Sequence, residues 1–123
     1  MIHLDTSFLI QALIPGSQSE GRLQRWLSSG EILGISAIAW SEFLCGPLTP
    51  EDEQLAQTLV AAPEPFLASD AHTAARLFNL TGRRSRSLAD CQIAAVAIRC
   101  GVRLATGNAS DFAPFQPHGL VLA

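Results

Sequence analysis

Ser87-Leu88-Ala89-Asp90-Cys91-Gln92-Ile93-Ala94-Ala95-Val96-Ala97-Ile98-Arg99-Cys100-Gly101 spells a helix enclosed on most of its sides. Ser87 is placed to cap the first turn, Asp90 sits three residues on, where an acid meets the positive end of a helix, and Gly101 can supply a left-handed stop. Nearly everything between is apolar, and a helix apolar almost all round is surrounded by its neighbours. Ala94, Ala95 and Ala97 let those neighbours come close. Asp90 is the exception, a carboxylate at the helix mouth. Alone it completes a Ser-x-x-Asp variant of the capping box. A chemical role depends on what else gathers there.

Upstream and downstream of this helix, strand and helix signals alternate. Met1 to Leu4 reads as a short strand ended by Asp5-Thr6-Ser7, with a helical run through Phe8, Leu9, Ala12 and Leu13 that Pro15-Gly16 stops. Ser17 to Ser29 is an amphipathic helix closed by Gly30. Ile32 to Ile35 is a buried strand, and Ser36 opens a helix through Trp40, Phe43 and Leu44 to Gly46-Pro47. Thr49-Pro50-Glu51-Asp52 starts another helix that Pro63 and Pro65 end, Phe66-Leu67 is a short strand candidate, and Ser69-Asp70 is placed to cap a helix that Gly82 closes. After Gly101 come a strand at Val102 to Ala105, a polar turn from Thr106 to Phe112, and a proline-interrupted tail to Leu120-Val121-Leu122. This order predicts an α/β fold, a mainly parallel central sheet with helices on both faces.

The totals bound the function. The chain has 123 residues, enough for one domain spanning 1–123, and 48% hydrophobic composition with a mean hydropathy of +0.25 supplies a core. The longest uncharged stretch is far short of a membrane span, and Asp5 comes too early for a signal peptide, so a cytoplasmic protein is expected. Cys45, Cys91 and Cys100 form no C-x-x-C pair, and His3, His72 and His118 are scattered, so neither a disulfide framework nor a zinc site is expected. Net charge is −3, which excludes coating nucleic acid by overall basicity. All eight basic residues are Arg, and Arg83, Arg84 and Arg86 crowd the approach to Ser87. That loop either faces water or presents planar forks to phosphate or carboxylate.

In a parallel sheet, ligands bind at the carboxyl ends of the strands. Asp5 and the Thr106 turn both follow strands, and the helix mouths carrying Glu42 and Asp90 can face the same edge. Asp5 in isolation is equally a helix-start acid, and Glu42 equally a surface residue. If Asp5, Glu42, Asp90 and Asp111 converge to about 5 Å, each ionised pair repels by roughly 3 kcal/mol at an effective dielectric near 20. A small domain does not carry that for packing alone. A divalent cation reverses the sign, and carboxylates with neutral oxygens from Thr6 and Asn108 are hard ligands suited to Mg²⁺ or Mn²⁺. Such an ion, with open water positions, implies phosphoryl chemistry. No Ser-His-Asp or Cys-His arrangement and no Walker-type glycine loop competes.

The segments Ile2-His3-Leu4-Asp5-Thr6-Ser7, Ser36-Ala37-Ile38-Ala39-Trp40-Ser41-Glu42-Phe43, Leu88-Ala89-Asp90-Cys91-Gln92-Ile93-Ala94-Ala95 and Thr106-Gly107-Asn108-Ala109-Ser110-Asp111-Phe112 together resemble the four motifs of PIN-domain ribonucleases, most closely the VapC toxins of bacterial toxin–antitoxin pairs. Singly each motif is weak; four in order are specific. The resemblance runs from Met1 to about Phe115 and implies a PIN-like three-layer sandwich. It implies metal-binding acids at Asp5, Glu42 and Asp90, with Asp5 and Asp90 the principal ligands and Thr6 as a supporting hydroxyl. Some family members carry an Asp where this chain has Asn108, and others pair an Asn there with an acid at the position of Asp111. Asp111 is therefore a direct ligand, a water-mediated one or a turn residue, with an auxiliary catalytic role the expectation, and Thr106 orients its neighbours. The resemblance further implies Mg²⁺-dependent endonucleolytic cleavage of RNA, with Mn²⁺ able to substitute, a homodimer, and neutralisation by a VapB-like antitoxin. Arg83, Arg84 and Arg86 would then steer RNA or meet an antitoxin carboxylate.

Two rivals stand beside the nuclease. One is a non-catalytic PIN-like module that binds RNA or protein, motivated by the neutral Asn108. The other is a metal-dependent phosphatase, which explains Asp5 at a strand end but lacks the second acid that such enzymes place two residues on.

Overall fold

The computed structural model describes residues 1–123, and its core is one four-stranded sheet. Strand β1 (Ile2–Leu4) lies between β2 (Leu33–Gly34) and β3 (Arg103–Ala105), and β4 (Val121–Leu122) adds outside β3. Every pairing is parallel, with Ile2 opposite both Leu33 and Arg103, and Leu4 opposite Ala105. Ile2, His3 and Leu4 are all buried. A central parallel strand is covered on both faces, so it cannot alternate between core and water. Helices lie on both faces of the sheet, giving a three-layer α/β sandwich.

Seven α-helices fill the crossovers: α1 (Thr6–Ala12), α2 (Gln18–Ser28), α3 (Ala37–Leu44), α4 (Pro50–Leu59), α5 (Ala68–Leu80), α6 (Leu88–Cys100) and α7 (Ala109–Phe112). The start signals at Ser17, Ser36 and Thr49 act as expected: each hydroxyl accepts the N–H three residues on, from Glu20, Ala39 and Asp52. Gly101 ends α6 in the left-handed region at φ 65°. Helix α6 buries Cys91, Ile93, Ala94, Ala95, Val96 and Ala97, and its small residues admit α5 alongside. No helix is long and apolar enough to cross a membrane.

Four local expectations are corrected. Phe66-Leu67 is not a strand. The strand-like pairing falls at Glu64, whose N–H donates to Ile35 O at 2.8 Å and whose carbonyl accepts from Ala37 N at 2.8 Å. Pro63 and Pro65 flank it, and neither has an N–H with which to extend a ladder. Ser69 does not cap α5. The helix begins after Leu67, whose N–H is taken by Asp70 Oδ2 at 2.9 Å. Ser87 does not cap α6 either. A 3₁₀ turn (Ser85–Ser87) runs straight into that helix, and the Ser87 hydroxyl donates backwards to Arg84 O at 2.7 Å. The Thr106 to Phe112 segment is not wholly turn, since its second half is the single turn of α7.

Candidate active site

The strand order turns back on itself between β1 and β3, and their carboxyl ends form the crevice where open α/β sheets bind ligands. Asp5 leaves β1 there and Thr106 leaves β3. The Asp5 N–H donates to Ala105 O at 2.9 Å, so the two exits are held side by side. Asp5 also caps α1. Its Oδ1 accepts from Phe8 N at 2.9 Å and from the Ser7 hydroxyl at 2.7 Å, while Oδ2 accepts from the Thr106 hydroxyl at 2.7 Å.

Those two hydroxyls are themselves constrained. Ser7 Oγ accepts from Gly107 N at 3.0 Å, and Thr106 Oγ1 accepts from Asn108 N at 2.9 Å. Each therefore directs its proton to Asp5 while gripping the turn that leads to Asp111. Asn108 precedes α7 without a side-chain cap bond, and Asp111 lies exposed in the first turn of that helix.

Glu42 arrives from the last turn of α3, exposed, and is tied to the same edge by Thr6. The Thr6 hydroxyl lies 3.0 Å from Ala39 O and 3.1 Å from Glu42 Oε1, and shares its one proton between them. Asp90 enters from the first turn of α6, half-buried. Its carboxyl is pushed from 3.8 up to about 6, first by burial and then by the charges of Asp111, Glu42 and Asp5 in that order. The four acids thus meet in one electrostatic field, each carried by a different part of the chain.

Arg84 and Arg86 line a cleft of about 350 Å³ on the Asp90 and Asp111 side of this edge. Arg83 does not line it. Gly82 and Arg83 both adopt left-handed backbone, at φ 99° and 57°, and Arg83 N donates to Phe78 O at 3.0 Å, which is the Schellman closure of α5. Arg83 serves that turn and its two companions face the cleft. Among the residues bearing on the acids, sequence reasoning missed Ser7. The available signal was a hydroxyl two residues after an acid at a strand end, within reach of the turn after the neighbouring strand.

The donors at this edge are carboxylates, hydroxyls and an amide, with no thiol or imidazole among them, which suits a hard divalent cation. No three His, Cys, Asp or Glu side chains stand close enough together to enclose an ion by themselves. Mg²⁺ ordinarily takes one or two carboxylates and completes its octahedron with water and substrate oxygens, so the donor set fits. Asp5 has one acceptor position left, on Oδ2, because a carboxylate offers about four and three are filled.

A sequence model described as the PIN domain matches residues 2–113. No curated protein matches the chain. Among solved structures, a toxin–antitoxin complex from Klebsiella pneumoniae is 25% identical, covers 92% of this chain and 91% of its own, and superposes with a TM-score of 0.70. VapBC2 from Rickettsia felis, bound to a fragment of promoter DNA, is 22% identical over 100% and 98% of the two chains, with a TM-score of 0.76. VapC20 of Mycobacterium tuberculosis, described as a sarcin–ricin loop cleaving toxin, is 20% identical over 100% and 98%, with a TM-score of 0.70. At such identities the likeness is one of fold.

Proposed function

The chain belongs to the PIN-domain family, and on that premise we propose that it is a metal-dependent endoribonuclease, a toxin restrained by a separate VapB-like antitoxin chain. One observation carries the reading. Asp5, Glu42, Asp90 and Asp111 gather at one edge of the sheet, where burial first and the charges of the other three acids next push the Asp90 carboxyl up to about 6. Asp5 and Asp90 are the proposed principal ligands of Mg²⁺, with Mn²⁺ as substitute and Glu42 completing the acidic set. The ion would polarise a phosphodiester oxygen and lower the pKa of a water to make the nucleophile.

The chain's own groups do the positioning. Thr106 and Ser7 orient Asp5 by donating to both of its oxygens, and one acceptor position on Oδ2 stays open. Thr6 restrains Glu42. Asp111 acts in an auxiliary role, adding negative charge beside Asp90, and Asn108 supplies a neutral amide to the same turn. The fold neighbours seen with antitoxins support the partner, and the neighbour described as a sarcin–ricin loop cleaving toxin supports the substrate class. Assembly as a homodimer belongs to the same proposal.

The test is cleavage of single-stranded RNA by the purified protein in Mg²⁺ or Mn²⁺. EDTA abolishes it, and Asp5→Asn or Asp90→Asn lowers it by on the order of a hundredfold or more. Either variant cutting as fast as the parent would overturn the proposal. The non-catalytic alternative draws on Asn108 and on the absence of any three acids close enough to enclose an ion. RNA binding without products across the whole metal titration selects it.

A further inference from the structure

The nuclease proposal uses the acids and leaves the cleft beside them unexplained. That cleft lies between the end of α5, the 3₁₀ turn and α7. Its lining includes Thr81, Arg84, Arg86, Ser87, Asp90 and Ser110, but neither Asp5 nor Glu42. It therefore takes in Asp90 and Asp111 and leaves the other two acids outside. Its volume of about 350 Å³ is at the small end of ligand pockets, which run from roughly 300 to 1,000 Å³. It has room for about one nucleotide and none for a duplex.

Two features say what it holds. Arg84 and Arg86 are exposed and engage no carboxylate, whereas Arg99 and Arg103 both do. A pair of unneutralised guanidiniums beside Asp90 and Asp111 is an anion seat in an otherwise acidic surface, and the planar fork matches phosphate oxygens. Ser87 adds a second preference. Its hydroxyl proton goes to Arg84 O, so any further bond at Ser87 Oγ must be accepted, as from a sugar hydroxyl.

We propose that this cleft is a nucleotide subsite, in which Arg84 and Arg86 hold the backbone phosphate next to the one being cut and Ser87 accepts from the ribose. The proposal rests on the nuclease reading and adds to it which flank of the RNA the protein grips. An acidic protein segment is the competing occupant. RNA is favoured because Thr81 and Ser87, whose protons go to Leu77 O and Arg84 O, can only accept, and a ribose offers hydroxyl donors that an acidic side chain lacks.

The experiment compares Arg84→Gln/Arg86→Gln with Arg83→Gln, which alters the same loop outside the cleft. Binding of a labelled single-stranded RNA is followed against salt in an Asp5→Asn background so that the RNA survives, and cleavage is followed in the parent background. The double variant should bind on the order of tenfold or more weakly. Its slope of log affinity against log salt should flatten by about 0.7, since the two guanidiniums hold one phosphate and each phosphate neutralised on a single strand contributes about 0.7. In cleavage, KM should rise with kcat held within a few-fold, because a grip on the flank is uniform binding. Arg83→Gln should leave all three unchanged, and unchanged Tm values establish that the variants fold.

An Arg83→Gln effect as large as the double variant's would overturn the subsite in favour of diffuse charge. So would a double variant that binds and cuts RNA normally while losing an acidic peptide, which would make the cleft a protein contact. In both cases RNA cleavage by the parent protein persists and the nuclease reading stands. A parent protein that neither binds nor cuts RNA overturns both.

Discussion

Asp5 shows how much of a site is set by donors instead of ligands. Three of its four acceptor positions are filled by Phe8 N, Ser7 Oγ and Thr106 Oγ1. Both hydroxyls are held in the donating sense because each accepts a backbone N–H of the Thr106 turn. Thr106→Ala removes the Oδ2 donor and leaves the Asn108 N–H unpartnered, so the carboxylate gains freedom at the oxygen proposed to face the ion. Partners one step behind a metal ligand are worth about 10–100-fold in activity or metal affinity. We expect cleavage by Thr106→Ala to fall within that range and its half-saturating Mg²⁺ to rise, with Ser7→Ala behaving alike. An unchanged Mg²⁺ dependence in both variants would rule out the positioning role. The aspartate was legible as a strand-end acid. Ser7 was not, because its second partner, Gly107 N, lies 100 residues away.

Between elements, the interface of α5 with α6 carries the strongest electrostatic commitment. Asp70, 1% exposed, accepts from Leu67 N at 2.9 Å and from Arg99 Nε at 2.9 and 3.1 Å. Asp70 in the sequence is a helix-start acid, and it is one. That its other partner would be an arginine 29 residues on, at the far end of α6, is a property of how the two helices lie together. Arg99 also reaches Glu64 at 3.0 Å and Pro65 O at 3.0 Å, which pins the connection leading into α5. Removing the partner of a buried carboxylate costs up to about 3–5 kcal/mol where both charges are enclosed, and Arg99, 28% exposed, leaves room for water to take up part of that. Arg99→Met should therefore lower stability toward that figure in denaturant unfolding. Adding Asp70→Asn should recover most of the loss, because the amide oxygen can still accept from Leu67 N. A loss below about 1 kcal/mol in Arg99→Met would show that solvent screens the pair.

For the whole molecule, the acidic edge is a cost of folding that a cation can remove. Asp90 titrates near 6 in the folded protein against 3.8 as its ordinary value, so between those limits the folded state keeps a proton that the unfolded chain has released. Stability then falls as pH rises through about 4 to 6, and the penalty is fully present above that window. The shift caps the penalty at about 3 kcal/mol, and the half-exposed position reduces it. In EDTA, Asp90→Asn should raise Tm at pH 7.5 by about 3–8 °C and shrink the difference between pH 5 and pH 7.5. Mg²⁺ should raise the Tm of the parent protein and have less effect on the variant. Thermal unfolding at the two pH values, with and without the ion, checks all three. A variant no more stable than its parent in EDTA would mean that the acids do not strain one another. The variant gains stability as it loses cleavage, the usual exchange where an active site gathers like charges.

By itself the sequence determined the helices and their starts at Ser17, Ser36 and Thr49, the stop at Gly101, the parallel α/β sheet and the placing of Asp5 at a strand end and Asp90 at a helix mouth, whereas Glu42, read as a helix-mouth acid, stands in the last turn of α3. Caps, breakers and hydrophobic period act over a few neighbours along the chain, so they can be read along it. Only the tertiary structure decided that Pro63 and Pro65 reduce a strand to one bridge, that Ser87 points back to Arg84, that Arg84 and Arg86 face a cleft while Arg83 closes a helix, and which hydroxyls hold Asp5. These depend on groups as far as 101 residues apart meeting within 2.7 Å. Local preferences carry no information about such meetings, which packing alone brings about.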